Sequence, residues 1–245
     1  MNPVERHLQQ LVERLRKAYP ESLVSVILYG SAAGGDHHAR FSDLNIFCVL
    51  RQVTPAELAV SESVFRWWRS LDNPAPLLMS QEEVGRSTDC FPMEFHDMSE
   101  RRRVLFGTDV IEAIQIDDRF YRAQVEHELR AKLLRLRQKA AGVLSDNDLL
   151  LRLMADSVST FFILARHALR LAGAQAPWPR REILDRLLES LGVEPRPFAT
   201  LLDLREDKIK PRSVKPTELF AEYLVQIQAL IGAVDRLHQF PRGDS

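Results

Sequence analysis

Long apolar runs are missing from this chain: nowhere do eighteen consecutive apolar residues occur, and Met1 is followed by a polar, helix-like segment instead of a charged stub and an apolar core. A membrane span and a secretory leader are therefore not expected, and the cytoplasm is the expected compartment. Cysteine is almost absent. Cys48 and Cys90 are the two in 245 residues, too few for a disulfide framework and without the Cys/His spacing of a zinc site, which suits a reducing compartment. Charge of one sign is lacking as well. The formal net charge of -1 gives no basic excess of the kind that accompanies general nucleic-acid binding, so nucleic acid is not an expected partner. There is no internal repeat, no low-complexity segment, no Gly-Lys-Ser/Thr phosphate loop, no dinucleotide fingerprint and no Ser-His-Asp grouping.

What is present is an ordinary globular balance, 45% hydrophobic and 27% charged, in a chain long enough to bury a sizeable core. The most informative stretch is Leu23–Leu50, LVSVILYGSAAGGDHHARFSDLNIFCVL. Two apolar, β-branched runs of strand length flank a loop rich in Gly and His. The first run ends in Gly30-Ser31 and the second opens with Asp43-Leu44-Asn45. Alternate residues of a strand share a face, so Asp43 and Asn45 are expected side by side while Leu44 and Ile46 turn into the core. Oxygen donors at i and i+2 suit a hard divalent cation carrying a triphosphate. Gly30 lets the chain approach a phosphate, and the Ser31 hydroxyl and nearby N–H groups can donate to its oxygens.

Around this motif the pattern predicts a mixed layer. Asn2-Pro3-Val4-Glu5 reads as a helix start, with Val4, Leu8, Leu11, Val12 and Leu15 on one face. Thr54-Pro55-Ala56-Glu57 starts a helix running to about Leu71, anchored by Phe65, Trp67 and Trp68. Pro76–Met79 reads as a short strand and Gln81–Val84 as a short helix or turn. Phe91–Met98 alternates like a strand, with Glu94 and His96 on one face, and Ser99–Phe106 reads as a short basic helix closed by Gly107. From Asp117 onwards helical periodicity takes over: Phe120–Val143, Asp146–Leu171, Arg181–Leu191, Phe198–Arg205 and Thr217–Gln239 are the predicted helices. Ser145-Asp146-Asn147-Asp148 is accounted for as a helix cap.

The order Gly-Ser at a strand end, about a dozen residues, then Asp-x-Asn on the next strand resembles the nucleotidyltransferase superfamily, which includes DNA polymerase beta and the kanamycin and other aminoglycoside nucleotidyltransferases. The resemblance covers about the first 115 residues. It implies an α+β fold: a nucleotidyltransferase-like mixed sheet flanked by helices over residues 1–116, followed by an all-α helical bundle over 117–245. It further implies Asp43, Asn45 and Glu94 as the catalytic and metal-binding set, Gly30, Ser31 and Arg40 as the nucleotide-binding set, Mg2+ as the cation, and a nucleoside triphosphate, ATP by analogy, as donor to a hydroxyl of a small molecule or protein. A homodimer is compatible with the chain. Two departures matter: Asn45 stands where the family has a second acid, and the turn reads Gly30-Ser31-Ala32-Ala33-Gly34-Gly35 without the frequent arginine, leaving Arg40 as the nearest basic residue. An enzyme and a nucleotide- or partner-binding relative without turnover both fit. The helical half is also similar to HEPN domains, whose ribonuclease motif is readable only at Arg122–His127, five residues apart and so diverging by about 140° on a helix.

Overall fold

The computed structural model describes residues 3–34 and 44–237. The chain divides into two compact units, Met1–Phe120 and Tyr121–Ser245.

The first unit is built on a four-stranded sheet: β1 (Leu23–Tyr29), β2 (Asn45–Leu50), β3 (Leu77–Ser80) and β4 (Arg102–Gly107), in the order β3-β2-β1-β4. β1 runs antiparallel to both β2 and β4, while β2 and β3 are parallel. A parallel pair needs a crossover, and helix α2 (Pro55–Arg69) provides it. Its start is the capping box expected from the sequence: the Ala56 N–H donates to Thr54 Oγ1 at 3.2 Å, and the Thr54 N–H donates to Glu57 Oε2 at 3.0 Å. A second capping box, Ser80 with Glu83, turns β3 directly into α3 (Gln81–Arg86).

Strand alternation divides the apolar residues between two faces. Val26, Leu28, Ile46, Cys48 and Leu50 pack under Leu8, Leu11 and Leu15 of α1 (Pro3–Ala18) and Val64 and Trp68 of α2. Ile27, Phe47, Val49 and Met79 pack against Val84, Phe95, Met98 and Ile111 on the other side. With both faces covered, β2 reads as a continuous apolar run. Trp68 is fully buried and Trp67 has the Arg14 guanidinium 4.3 Å from its ring, so both tryptophans serve packing, as expected.

The region before and within β4 corrects the sequence reading. Phe91–Met98 is not a strand. Pro92–Glu100 forms helix α4, in which Pro92, Met93, Phe95, His96 and Met98 are buried, a helical spacing that short alternation had mimicked. Nor is Ser99–Phe106 a helix. Arg102–Gly107 pairs with β1 from Tyr29–Arg102 to Ser25–Gly107. The arginines suit this edge position, where charge blocks further pairing. Gly107, at φ +77, ends the strand where a Cβ would lie 1.9 Å from the Val24 carbonyl oxygen. Ser25 Oγ then donates to the Thr108 carbonyl at 2.7 Å.

The second unit is helical: α5 (Tyr121–Ala140), α6 (Asn147–Leu171), α7 (Arg180–Leu191), α8 (Arg196–Arg205) and α9 (Pro216–Arg236). Each expected helix is present to within a few residues, and Asp146 caps α6 through the N–H groups of Asp148 and Leu149. α6 is central, packing against the other four. Phe161 and Phe198 meet the buried Tyr223 ring edge-on, with centroids 5.8 and 5.3 Å away. Arg122 is held by Glu126 at 2.6 Å, and His127 is exposed. Among the described residues no helix is long and apolar enough to cross a membrane.

Candidate functional site

The first element is the turn that closes β1. Gly30 has φ +81, a conformation that costs a residue with a Cβ about 1–2 kcal/mol. Its carbonyl accepts from the Ala33 N–H and its own N–H donates to the Arg101 carbonyl, each at 3.0 Å. The chain passes at once into a 3-10 turn, Ser31–Gly34, whose Ala32 is buried in the α1/α2 core. Both main-chain groups of Gly30 thus build the turn. Ser31, half-buried, is the first residue of the turn with a side-chain donor.

Asn45 opens β2 directly opposite Tyr29. Leu44 and Ile46 turn into the α1/α2 core as expected, which places Asn45 on the opposite face with Phe47. Its amide reaches back over the turn: a Cβ on Gly30 would lie 3.3 Å from Asn45 Nδ2. Asp43 and Arg40, and His37 and His38 with them, lie outside the described residues.

Glu94 arrives by a different route from the one expected. It sits in the first turn of α4, half-buried, and not on a strand beside Asp43. Tyr29, the cross-strand partner of Asn45, packs into the α4 side of the sheet. Burial first, then the negative charges of Glu94 and Asp97, push the Tyr29 hydroxyl up to about 12. The phenol therefore stays protonated through neutral pH, and both carboxylates act on it through their charge. In the nucleotidyltransferase pattern a third acid comes from a later strand. Here β3 begins only at Leu77, opposite Phe47, and counting two residues back from each gives Ala75 for Asn45, within Asn73-Pro74-Ala75-Pro76. That neighbouring segment brings no carboxylate.

Two further residues lie at this end of the sheet, Tyr29, which the sequence did not single out, and Arg101, which it offered only as one of three arginines of which one could serve a triphosphate. Tyr29 carried no signal beyond its place next to Gly30. Arg101 belongs to a basic run, Arg101-Arg102-Arg103, whose members the fold separates. Arg102 Nε donates to both carboxylate oxygens of Asp109, at 3.0 and 2.8 Å, and Arg103 pairs with Glu5 at 2.9 Å. The Arg101 guanidinium lies over Gly34.

The oxygen donors of the expected set that fall within the described residues are the amide of Asn45 at the turn and the carboxylate of Glu94 on α4. Among the described residues no three His, Cys, Asp or Glu side chains gather to hold a metal ion. Amide and carboxylate oxygens are of the hard type that Mg2+ takes when it arrives on phosphate oxygens. Of the cysteines, Cys48 is buried in β2, its thiol pushed up to about 12 by burial, and Cys90 is exposed.

No family model matches the chain, and no curated protein matches it. Comparison with solved structures defines the class: this is a nucleotidyltransferase-like fold, a helix-flanked mixed sheet followed by a helical part. The spectinomycin adenyltransferase AAD(9) from Enterococcus faecialis, solved with ATP and spectinomycin, is similar to it with a TM-score of 0.50, over 94% of this chain and 99% of that one. At 11% sequence identity the likeness is one of fold.

Proposed function

We propose that the chain binds a nucleoside triphosphate, ATP by analogy with the adenyltransferase, and transfers its nucleoside monophosphate to a hydroxyl of a small molecule or protein. The observation that carries this reading is the turn at the end of β1: Gly30 in a left-handed conformation, leading into Ser31–Gly34, with Asn45 laid across it. Gly30 and Ser31 would seat the β- and γ-phosphates, with Arg40 as a further basic contact. Asp43 and Asn45 would hold Mg2+ with the phosphates, Glu94 contributing as ligand or base, and the bound ion would offset the triphosphate's charge.

In this reaction the acceptor oxygen attacks the α-phosphorus in line and its proton passes to Glu94. The bond to the bridging oxygen breaks and pyrophosphate leaves. Positioning and charge neutralisation supply most of the rate. The same reading makes residues 1–116 the catalytic domain and the helical domain, 117–245, the holder of the acceptor, in a cytoplasmic protein that is compatible with a homodimer.

A second reading, a nucleotide- or partner-binding relative without turnover, is favoured by Asn45 in place of an acid and by the absence of a carboxylate from Asn73-Pro74-Ala75-Pro76, the segment that leads into β3. Incubating the purified chain with each of the four nucleoside triphosphates and following pyrophosphate release tests both. Release and acceptor labelling that vanish in Asp43→Ala establish the enzyme. Labelling that emerges only in Asn45→Asp establishes the relative without turnover.

A further inference from the structure

We propose that Arg101 is the phosphate-binding arginine of the Gly30–Gly34 turn, supplying from the head of β4 the positive charge that the turn's own sequence lacks. The inference rests on the nucleotide-binding reading above and deepens it by naming a residue. The turn Ser31-Ala32-Ala33-Gly34 contains no basic side chain. Arg101 grips it at both ends. Its carbonyl takes the Gly30 N–H at 3.0 Å, and its side chain crosses Gly34 so closely that a Cβ there would meet Nη1 at 2.4 Å, Cζ at 2.8 Å and Cδ at 3.0 Å. Gly34 is thus a glycine because a guanidinium occupies the space its side chain would need. The two neighbouring arginines point elsewhere, Arg102 to Asp109 and Arg103 to Glu5. Arg101 is half-buried, so its charge is only partly screened where it lies. A guanidinium is charged at every working pH, and its planar fork matches two phosphate oxygens at once. No sequence motif announces this. Arg101 reaches the turn only because β4 pairs with β1 in the register that sets Arg102 against Tyr29.

The test is calorimetric titration of the full chain and its variants with adenosine, AMP, ADP, ATP and inorganic tripolyphosphate, with thermal melts to report folding. Arg101→Gln is expected to weaken ATP and ADP about tenfold to a hundredfold, the size of one charge-assisted hydrogen bond, and adenosine less than about twofold. Arg101→Lys is expected to fall between, keeping the charge and losing the fork. Gly34→Ala is expected to reproduce the ATP loss with the arginine still present, because the added methyl displaces the guanidinium. If Arg101→Gln melts early, Arg101→Lys carries the comparison with the same ordering of ligands. Unchanged ATP affinity in Arg101→Gln overturns the inference and leaves the nucleotide reading standing. Equal losses for adenosine and ATP also overturn it, since they mark a merely structural arginine. A chain that holds tripolyphosphate through Arg101 but binds no nucleotide sinks the nucleotide reading and keeps the phosphate site. A chain that binds neither overturns both.

Discussion

The side-chain amide nitrogen of Asn45 lies 3.3 Å from the place a Cβ on Gly30 would take. The strand that ends in Gly30 and the strand that begins at Asn45 therefore meet at one point, and Gly30 answers two demands there, a positive φ and room for the amide. Gly30→Ala is expected to cost about 1–2 kcal/mol of stability through the backbone alone. Gly192, at φ +65 with nothing within 4 Å of its missing Cβ, is the control; its Ala variant should lose about 1 kcal/mol. Gly107, whose Cβ would strike the Val24 carbonyl oxygen, should lose about 3 kcal/mol or more. Urea unfolding of the three variants measures the ranking, and a Gly107→Ala variant as stable as Gly192→Ala would contradict the described end of β4.

Tyr29 gives the first unit a specific alkaline weakness. Its hydroxyl titrates near 10 in the unfolded chain and at about 12 in the fold. Between those values the unfolded chain has lost the proton and the folded one retains it. The contribution is whole below pH 10 and is lost as pH rises from 10 to 12, an effect of order 2 kcal/mol. Tyr19, Cys48 and Tyr223 are also raised by burial and add slopes of the same sign. Subtracting the profile of Tyr29→Phe from that of the natural chain isolates the one group. Denaturation midpoints between pH 9 and pH 12 should fall less steeply in the variant; parallel curves would show that the phenol is not held as described.

Glu94 separates binding from chemistry. In the proposed reaction a Glu94 that acts as the base is needed when the acceptor proton moves, whereas a Glu94 that acts as a metal ligand is needed when the triphosphate docks. Glu94→Gln keeps the shape and removes the charge. Acceptor labelling is expected to fall by about 10²–10⁴, with ATP affinity changed by less than about threefold. A loss of affinity as large as the loss of labelling would make Glu94 a binding ligand and not a base.

Much of this was legible in the sequence, for local reasons. Helices announced by their own caps, Thr54 with Glu57 for α2 and Asp146 for α6, start where the side chains say they do. β1 and β2 declared themselves through apolar content alone, because both faces of the sheet are covered. The exchange of helix and strand around Arg101 was not legible. Over a few residues, Glu94, Phe95, His96 and Asp97 satisfy a period of two as well as a helix does, and the basic run gave no hint that its carbonyls and N–H groups complete the central strand. That exchange moved Glu94 from a strand to a helix and brought Arg101 to the turn. Tyr29 became part of the site only once its cross-strand partner was known to be Asn45.

A Thr54→Ala change tests the local part directly. Removing one half of the capping box should cost about 1 kcal/mol, read from the denaturation midpoint. No loss would mean that packing of Val64 and Trp68 alone fixes the start of α2.

The central claim is that the turn after β1 seats a triphosphate, and backbone amide NMR during a titration with Mg-ATP tests it most directly. Resonances of Ser31, Ala32, Ala33 and Gly34 should move saturably, with those of Asn45 and Arg101 following, and AMP should move them less. Shifts confined to the helices beyond Tyr121, or none at all at millimolar nucleotide, would contradict it.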